Sequence, residues 1–130
     1  MLIGAIGSRI SALLVGANAQ AGFTLSLVCD DAGLLLAVAG NGADEEQLAG
    51  LTSLFDDIVV RARRDLGIPD VDEVTMVDRR WGRCVIRPLA TDGSRRHFLV
   101  VMLAANRTWR RATNTLKKEV QGLFREASLP

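Results

Sequence analysis

Residues 28 to 40 read VCDDAGLLLAVAG, and the fold turns on what Asp30 and Asp31 do there. Two adjacent acids beside Cys29 suit a metal or acid/base site, whereas the same letters between two apolar runs suit a chain reversal. The flanks favour the reversal. From Phe23 to Cys29 the run FTLSLVC alternates through Thr24 and Ser26, and from Leu34 to Ala39 the run LLLAVA is apolar throughout. Asp tolerates turn geometry by bonding nearby backbone, and Gly33 can take positive φ, so the stretch reads as a β-hairpin. No histidine or third acid stands near in sequence to make the pair chemical.

Working outward, Ile3, Ile6, Ile10, Leu13, Leu14 and Ala17 recur at helical spacing before the hairpin, although Gly4 and Gly7 weaken that helix. After it, the linker GNGADEEQ brings Asp44, Glu45 and Glu46 to a helix N-terminus, where carboxylates meet free N–H groups and the positive end of the dipole. This helix carries Leu48, Leu51, Leu54, Phe55, Ile58, Val59, Ala62 and Leu66 and closes at Gly67 before Pro69. Its apolar arc spans about 140°, wide enough to touch a sheet and a neighbouring helix at once.

Three strands are expected next, Glu73–Asp78, Arg83–Leu89 and His97–Ala104, joined by RRWG and ATDGSRR, with Pro88 limiting the middle one. A last helix is expected from Asn106 as N-cap. It lays Trp109, Ala112, Leu116, Val120, Leu123, Phe124 and Ala127 along one stripe and Arg110, Arg111, Lys117, Lys118 and Arg125 opposite. The order is helix, hairpin, helix, three-stranded meander, helix, an α+β fold with an antiparallel sheet. At 130 residues, 48% of them apolar, one domain with one sizeable core is expected over residues 1–130.

The near-neutral total hides an asymmetry. Between Asp44 and Glu73 nine acids face three arginines, whereas from Val74 onward twelve Lys and Arg face four acids. Separated signs suit pairing with another protein or a second copy more than binding nucleic acid. The basic stripe lacks an interleaved aromatic platform and reads as a solvated face.

Other chemistry finds little support. Cys29 and Cys84 lack a second ligand at metal-site spacing, so no metal is expected and both read as buried thiols in a reducing, cytoplasmic setting. Gly4, Gly7 and the GNG at 40–42 match no phosphate-binding loop, and no cofactor is expected. His97, the single histidine, has no partner for a triad or metal site. The Asn106-Arg107-Thr108 sequon has no consequence in a cytosolic helix cap. The opening MLIGAIGSRISALLVGANAQA vaguely suggests a leader but lacks its charged start, and it is too short and interrupted to span a bilayer. Trp81 in RRWG reads two ways, as a contact residue at a hairpin tip or as a ring folded back onto a helix.

The hairpin VCDDAGLLLAVAG, the helix DEEQLAGLTSLFDDIVVRAR, the strands EVTMVDRRWGRCVIRPL and HFLVVMLA and the helix NRTWRRATNTLKKEVQGL together resemble the roadblock family, also called the dynein light-chain roadblock family. The resemblance covers nearly the whole chain; the glycine-rich first helix is its main departure. It implies a five-stranded antiparallel sheet of order 2-1-5-4-3, with the middle helix on one face and the two terminal helices on the other. It implies homodimers, or heterodimers with a related chain, joined edge to edge through the third strands and packed through the middle helices. The expected interface is Leu51, Phe55, Val59, Val74, Thr75, Met76 and Val77. It also implies a non-enzymatic platform, in bacterial and archaeal members often beside a small Ras-like GTPase whose hydrolysis some members stimulate without an arginine finger. Expected partner contacts are Asp56, Asp57, Arg61 and Arg64 on the middle helix and Arg79, Arg80 and Trp81 at the hairpin tip. A structural adaptor without nucleotide dependence is the first alternative. A small-molecule sensor is another, though no convergent polar set marks a pocket.

Overall fold

The computed structural model describes residues 2–41, 44–91 and 93–128, with residues 2–4 and 128 described only in backbone. The expected roles of the Ile3 side chain, of Gly4, of Gly42 and Ala43 in the linker and of Asp92 in its turn lie outside the described residues.

In chain order the elements are α1 (Leu2–Ala21), β1 (Leu25–Asp30), β2 (Leu35–Gly40), α2 (Glu45–Leu66), β3 (Val74–Asp78), β4 (Gly82–Leu89), β5 (His97–Leu103) and α3 (Arg110–Ser128). The five strands form one antiparallel sheet in the order β2-β1-β5-β4-β3. Because strand side chains alternate between faces, the sheet feeds two cores. Leu25, Leu27 and Cys29 of β1 join Phe98, Val100 and Met102 of β5 under Leu48, Ala49 and Phe55 of α2. On the other face Val28, Leu99, Val101 and Val85 pack against Ile6, Ile10 and Leu14 of α1 and Leu116, Val120 and Leu123 of α3.

The opening hairpin is built by Asp30 itself. Its Oδ1 accepts the Ala32 and Leu34 N–H groups at 2.9 and 3.0 Å, and its carbonyl accepts the Gly33 N–H at 3.0 Å. Gly33 sits at φ +82°, and a Cβ there would lie 3.0 Å from the Ala49 carbonyl oxygen of α2. The turn therefore packs directly under the middle helix. Asp30 and Asp31 are turn and clamp residues, and no group of three or more His, Cys, Asp or Glu side chains among the described residues could hold a metal.

Helix α2 is capped by Asp44, whose side chain accepts the Glu46 and Gln47 N–H groups, and it closes at Gly67 with φ +68°. Helix α3 departs from expectation. Asn106 is not its cap but lies in a turn in which the Arg107 N–H donates to the Ala104 carbonyl, and the helix begins at Arg110. Strand β4 ends at Leu89 as expected, one residue after Pro88. The last β3–β4 pair in that direction is Val74 with Ile86, so the missing proline N–H falls beyond the end of β3.

Gly7 of α1 has a packing role. A Cβ on Gly7 would come within 2.9 Å of the Leu36 carbonyl oxygen, so the absent side chain lets α1 settle onto β2. The loss in helix propensity, about 1 kcal/mol relative to Ala, is offset by the burial of Ile6, Ile10 and Leu14. Among the described residues no helix is long and apolar enough to cross a membrane.

Candidate interaction surface

The candidate surface has two parts on one face of the sheet, edge strand β3, whose Val74 and Met76 join the core under α2, and the outer flank of α2 itself. Helix α2 packs over β1 and β2, which leaves part of its wide apolar arc uncovered. Leu54 is 62% exposed and Ile58 49%, with Leu51, Val60, Leu66 and Ile68 also exposed. On β3, Val74, Thr75 and Met76 are half-buried and Val77 is 60% exposed. Clustered exposed apolar side chains and an unpaired strand edge mark an interaction site or an aggregation hazard.

The expected interface residues divide by their position on this geometry. Leu51, Val59, Val74, Thr75, Met76 and Val77 reach or border the open surface, whereas Phe55 is turned inward among Leu48, Cys29 and Phe98. Sequence reasoning put Leu54 and Ile58 in the arc without picking them for the interface. They lie about 100° and 60° round the helix from Phe55 by a 100° step, the side away from the sheet.

Of the expected partner contacts, Asp56 is inside. It is 7% exposed, and both its oxygens accept from Arg96 at 2.6 Å. Nothing local in the sequence marks this, because Arg96 comes from the β4–β5 loop. Asp57 and Arg61 lie on the surface in a mutual bond of 2.8 Å, and Arg64 bonds Asp65 at 2.8 Å. Exposed pairs of this kind are weak and readily exchanged for a partner's groups.

The β3–β4 tip carries Arg79, Arg80 and Trp81 on a prebuilt turn. One Asp78 oxygen accepts both the Arg80 and the Trp81 N–H groups, at 2.8 and 2.6 Å, and these bonds hold the Asp78 carboxyl below its usual pKa. Gly82, at φ +105°, passes so close to β5 that a Cβ would lie 2.6 Å from the Leu103 carbonyl oxygen. Trp81 is 47% exposed, and this decides the two readings of the sequence in favour of an outward ring.

Behind β3 a charged network fixes its entry. Arg87, 3% exposed, donates to Asp72 at 2.8 Å and to the side chains of Thr113 and Asn114 on α3. Arg110 bridges Asp72 and Glu73 at 2.8 and 2.9 Å, and Trp109 Nε1 donates to Glu73 at 3.0 Å. The Arg110 and Arg87 hydrogen bonds bring the Asp72 carboxyl down to about 2. Burial alone would raise Glu73, but the Thr75, Trp109 and Arg110 bonds outweigh it and leave its pKa lowered. The Arg83 guanidinium stacks 4.1 Å from the Trp109 ring centroid.

No active-site constellation accompanies these features among the described residues. His97 bonds Thr91 through Nδ1 and packs on Phe124; burial lowers its pKa against the pull of Asp30 and Asp31. Burial pushes the Cys29 and Cys84 thiols up to about 12, which makes both inert as nucleophiles.

The strand order, the single helix on one face and the terminal pair on the other define the roadblock fold. No family model and no curated protein sequence matches the chain; solved structures do. MglB of Myxococcus xanthus superposes with a TM-score of 0.78 at 16% identity, over 95% of this chain and 92% of that one. The gliding protein MglB of Thermus thermophilus gives 0.75 at 16%, over 94% and 93%, and a Roadblock/LC7 domain from Streptomyces avermitilis gives 0.62 at 20%, over 89% and 92%. At these identities the fold is what is shared.

Proposed function

We propose that this chain is a non-enzymatic, dimeric regulator or scaffold that binds a small Ras-like GTPase in the cytoplasm, with or without stimulating its hydrolysis. The observation that carries the reading is the unpaired β3 edge together with the uncovered apolar flank of α2 on the same face of the sheet. A second copy paired there would cover both, joined through Leu51, Val59, Val74, Thr75, Met76 and Val77, with Leu54 and Ile58 completing the helix contact. The paired α2 helices then present Asp57, Arg61 and Arg64 to the GTPase, with Trp81 at the flank as an aromatic anchor. The likeness in fold to MglB, one of whose structures is described as having a tetrameric arrangement, supports self-association of the chain.

The test is capture by the tagged chain from extract of its source organism, in GDP or in a non-hydrolysable GTP analogue, followed by hydrolysis assays on any GTPase recovered. Recovery of a small GTPase mainly with the GTP analogue is expected. Recovery of the same proteins whatever the nucleotide would replace the regulator with an adaptor.

A further inference from the structure

The hydrogen-bond alternation of the sheet identifies which backbone groups β3 leaves open. The Asp31 N–H donates to the Arg96 carbonyl at 2.9 Å, extending the register that pairs Leu25 with Met102 and Asp30 with His97. Opposed residues in an antiparallel pair alternate between bonded and non-bonded. Odd-numbered residues of β1 therefore bond even-numbered residues of β5. Carried through Val85 opposite Val101 and Met76 opposite Cys84, the alternation turns Val74, Met76 and Asp78 toward β4. The N–H and C=O groups of Thr75 and Val77 are left facing outward.

We infer that a second copy of the chain pairs with this edge antiparallel in one register, with the two-fold axis at Met76; this rests on the dimer proposed above. Open groups must meet open groups, which leaves axes at Thr75, Met76 or Val77 as the central choices. With the axis at Met76, Thr75 bonds Val77 of the second copy and Val74 stands opposite Asp78; continued past the ends of β3, the register brings Glu73 toward Arg79 and Asp72 toward Arg80. Each contact occurs twice by symmetry. Met76 meets Met76 on the face of the sheet that α2 covers. An axis at Thr75 instead sets Asp72 against Asp78, twice, and opposed like charges destabilise a strand pair. An axis at Val77 sets Met76 against Asp78 and Val74 against Arg80, with no acid facing a base.

The charges on the molecule fit the first arrangement. Arg79 and Arg80 are exposed, and neither guanidinium has an ion-pair partner among the described residues, a state they share with Arg63, Arg83, Arg107 and Arg111, but only they flank the open end of β3. Asp72, although held by Arg87 and Arg110, keeps half of its side chain exposed, whereas Glu73 is 17% exposed and already held by Thr75, Trp109 and Arg110, so it meets Arg79 by its rim. Arg79 and Arg80 thus belong to the dimer seam, and Trp81 is left for the GTPase.

Disulfide mapping tests the register. Met76 against Met76 is a non-bonded pair with Cα atoms about 4.5 Å apart, within the disulfide range of roughly 4.4–6.8 Å. Thr75→Cys, Met76→Cys and Val77→Cys are compared in a glutathione buffer, with the unaltered chain and its two buried thiols as control. Met76→Cys is expected to form a covalent dimer at least about tenfold faster than the other two, since only it places identical residues opposite each other at bonding distance. Sedimentation of the unaltered chain separates the two ideas. A 14.0 kDa monomer would remove the dimer and the register with it. A dimer in which Thr75→Cys or Val77→Cys cross-links first, or in which none does, would overturn the register alone. Arg79→Glu, at an exposed position that leaves folding intact, is expected to weaken dimerisation about tenfold by turning two opposed pairs into like charges; an unchanged dissociation constant would contradict the seam.

Discussion

Arg96 grips Asp56 through two bonds of 2.6 Å, Nε to one carboxylate oxygen and Nη2 to the other. The pair fastens the β4–β5 loop to the middle of α2. Arg96 also lies 3.4 Å from Asp31 of the hairpin turn, so one guanidinium ties three segments together. Arg96→Ala strands a buried carboxylate and is expected to lower stability by about 2 kcal/mol, the range for a lost charge-assisted bond. A urea midpoint unchanged from the parent would show that the clamp carries no stability.

Gly7 and Gly16 of α1 are expected to respond in opposite directions. Gly16 has nothing within 4 Å of a would-be Cβ, so Gly16→Ala gains helix propensity and about 0.5–1 kcal/mol. Gly7→Ala drives a methyl toward the Leu36 carbonyl oxygen and loses about 1 kcal/mol net, the overpacking exceeding the propensity gain. Thermal melts of the two variants check the signs, and a stabilised Gly7→Ala would show that α1 rides higher on β2.

Acid stability follows from Asp72. Its folded pKa of about 2 lies below the usual value near 3.9, so the unfolded chain binds its proton first. The stability it contributes is complete above about pH 4 and is lost as pH falls toward 2. Half of the side chain is exposed, and after discounting for solvent screening the contribution is about 1 kcal/mol. Glu73 and Asp30 are shifted in the same direction and steepen the same acid limb. Asp72→Asn should flatten stability between pH 4 and 2 relative to the parent; superimposable profiles would remove the Arg87–Asp72–Arg110 network from the account.

Leu54→Asp and Ile58→Asp test the open flank of α2. Both positions face solvent in the single chain, so folding stability is expected to change by no more than about 0.5 kcal/mol. Self-association should nevertheless fall sharply, because a charge then enters a shared apolar contact. Sedimentation and a chemical melt on the same samples separate the effects; lost stability with unchanged association would place both residues in the core of the single chain.

The elements are legible because each is encoded within a few residues of itself. The Asp30–Gly33 turn, the Asp44 and Gly67 caps of α2 and the 3.6-residue stripe of α3 are all local signals. The start of α3 is not legible at Asn106 because that side chain suits a turn as well as a cap, and here the turn wins. The candidate surface is legible only in part. The period of α2 marks a wide apolar arc but does not say which edge of it the sheet covers, so the sequence alone does not tell inward Phe55 from outward Ile58.

What the sequence by itself determined is the order and kind of the elements, since propensity, capping and hydrophobic period act over neighbouring residues. Only the tertiary structure decided which charges are surface and which are structure. Asp56 and Asp57 are adjacent and chemically alike, yet Arg96, 40 residues away in sequence, buries the first, while the second pairs with Arg61 in solvent. The same holds at β3, where the charges at Asp72, Glu73, Arg79 and Arg80 gain meaning only once β3 is the outer strand. Strand order is settled by long-range packing on both faces of the sheet, a free energy summed over the whole molecule and carried by no single stretch of it.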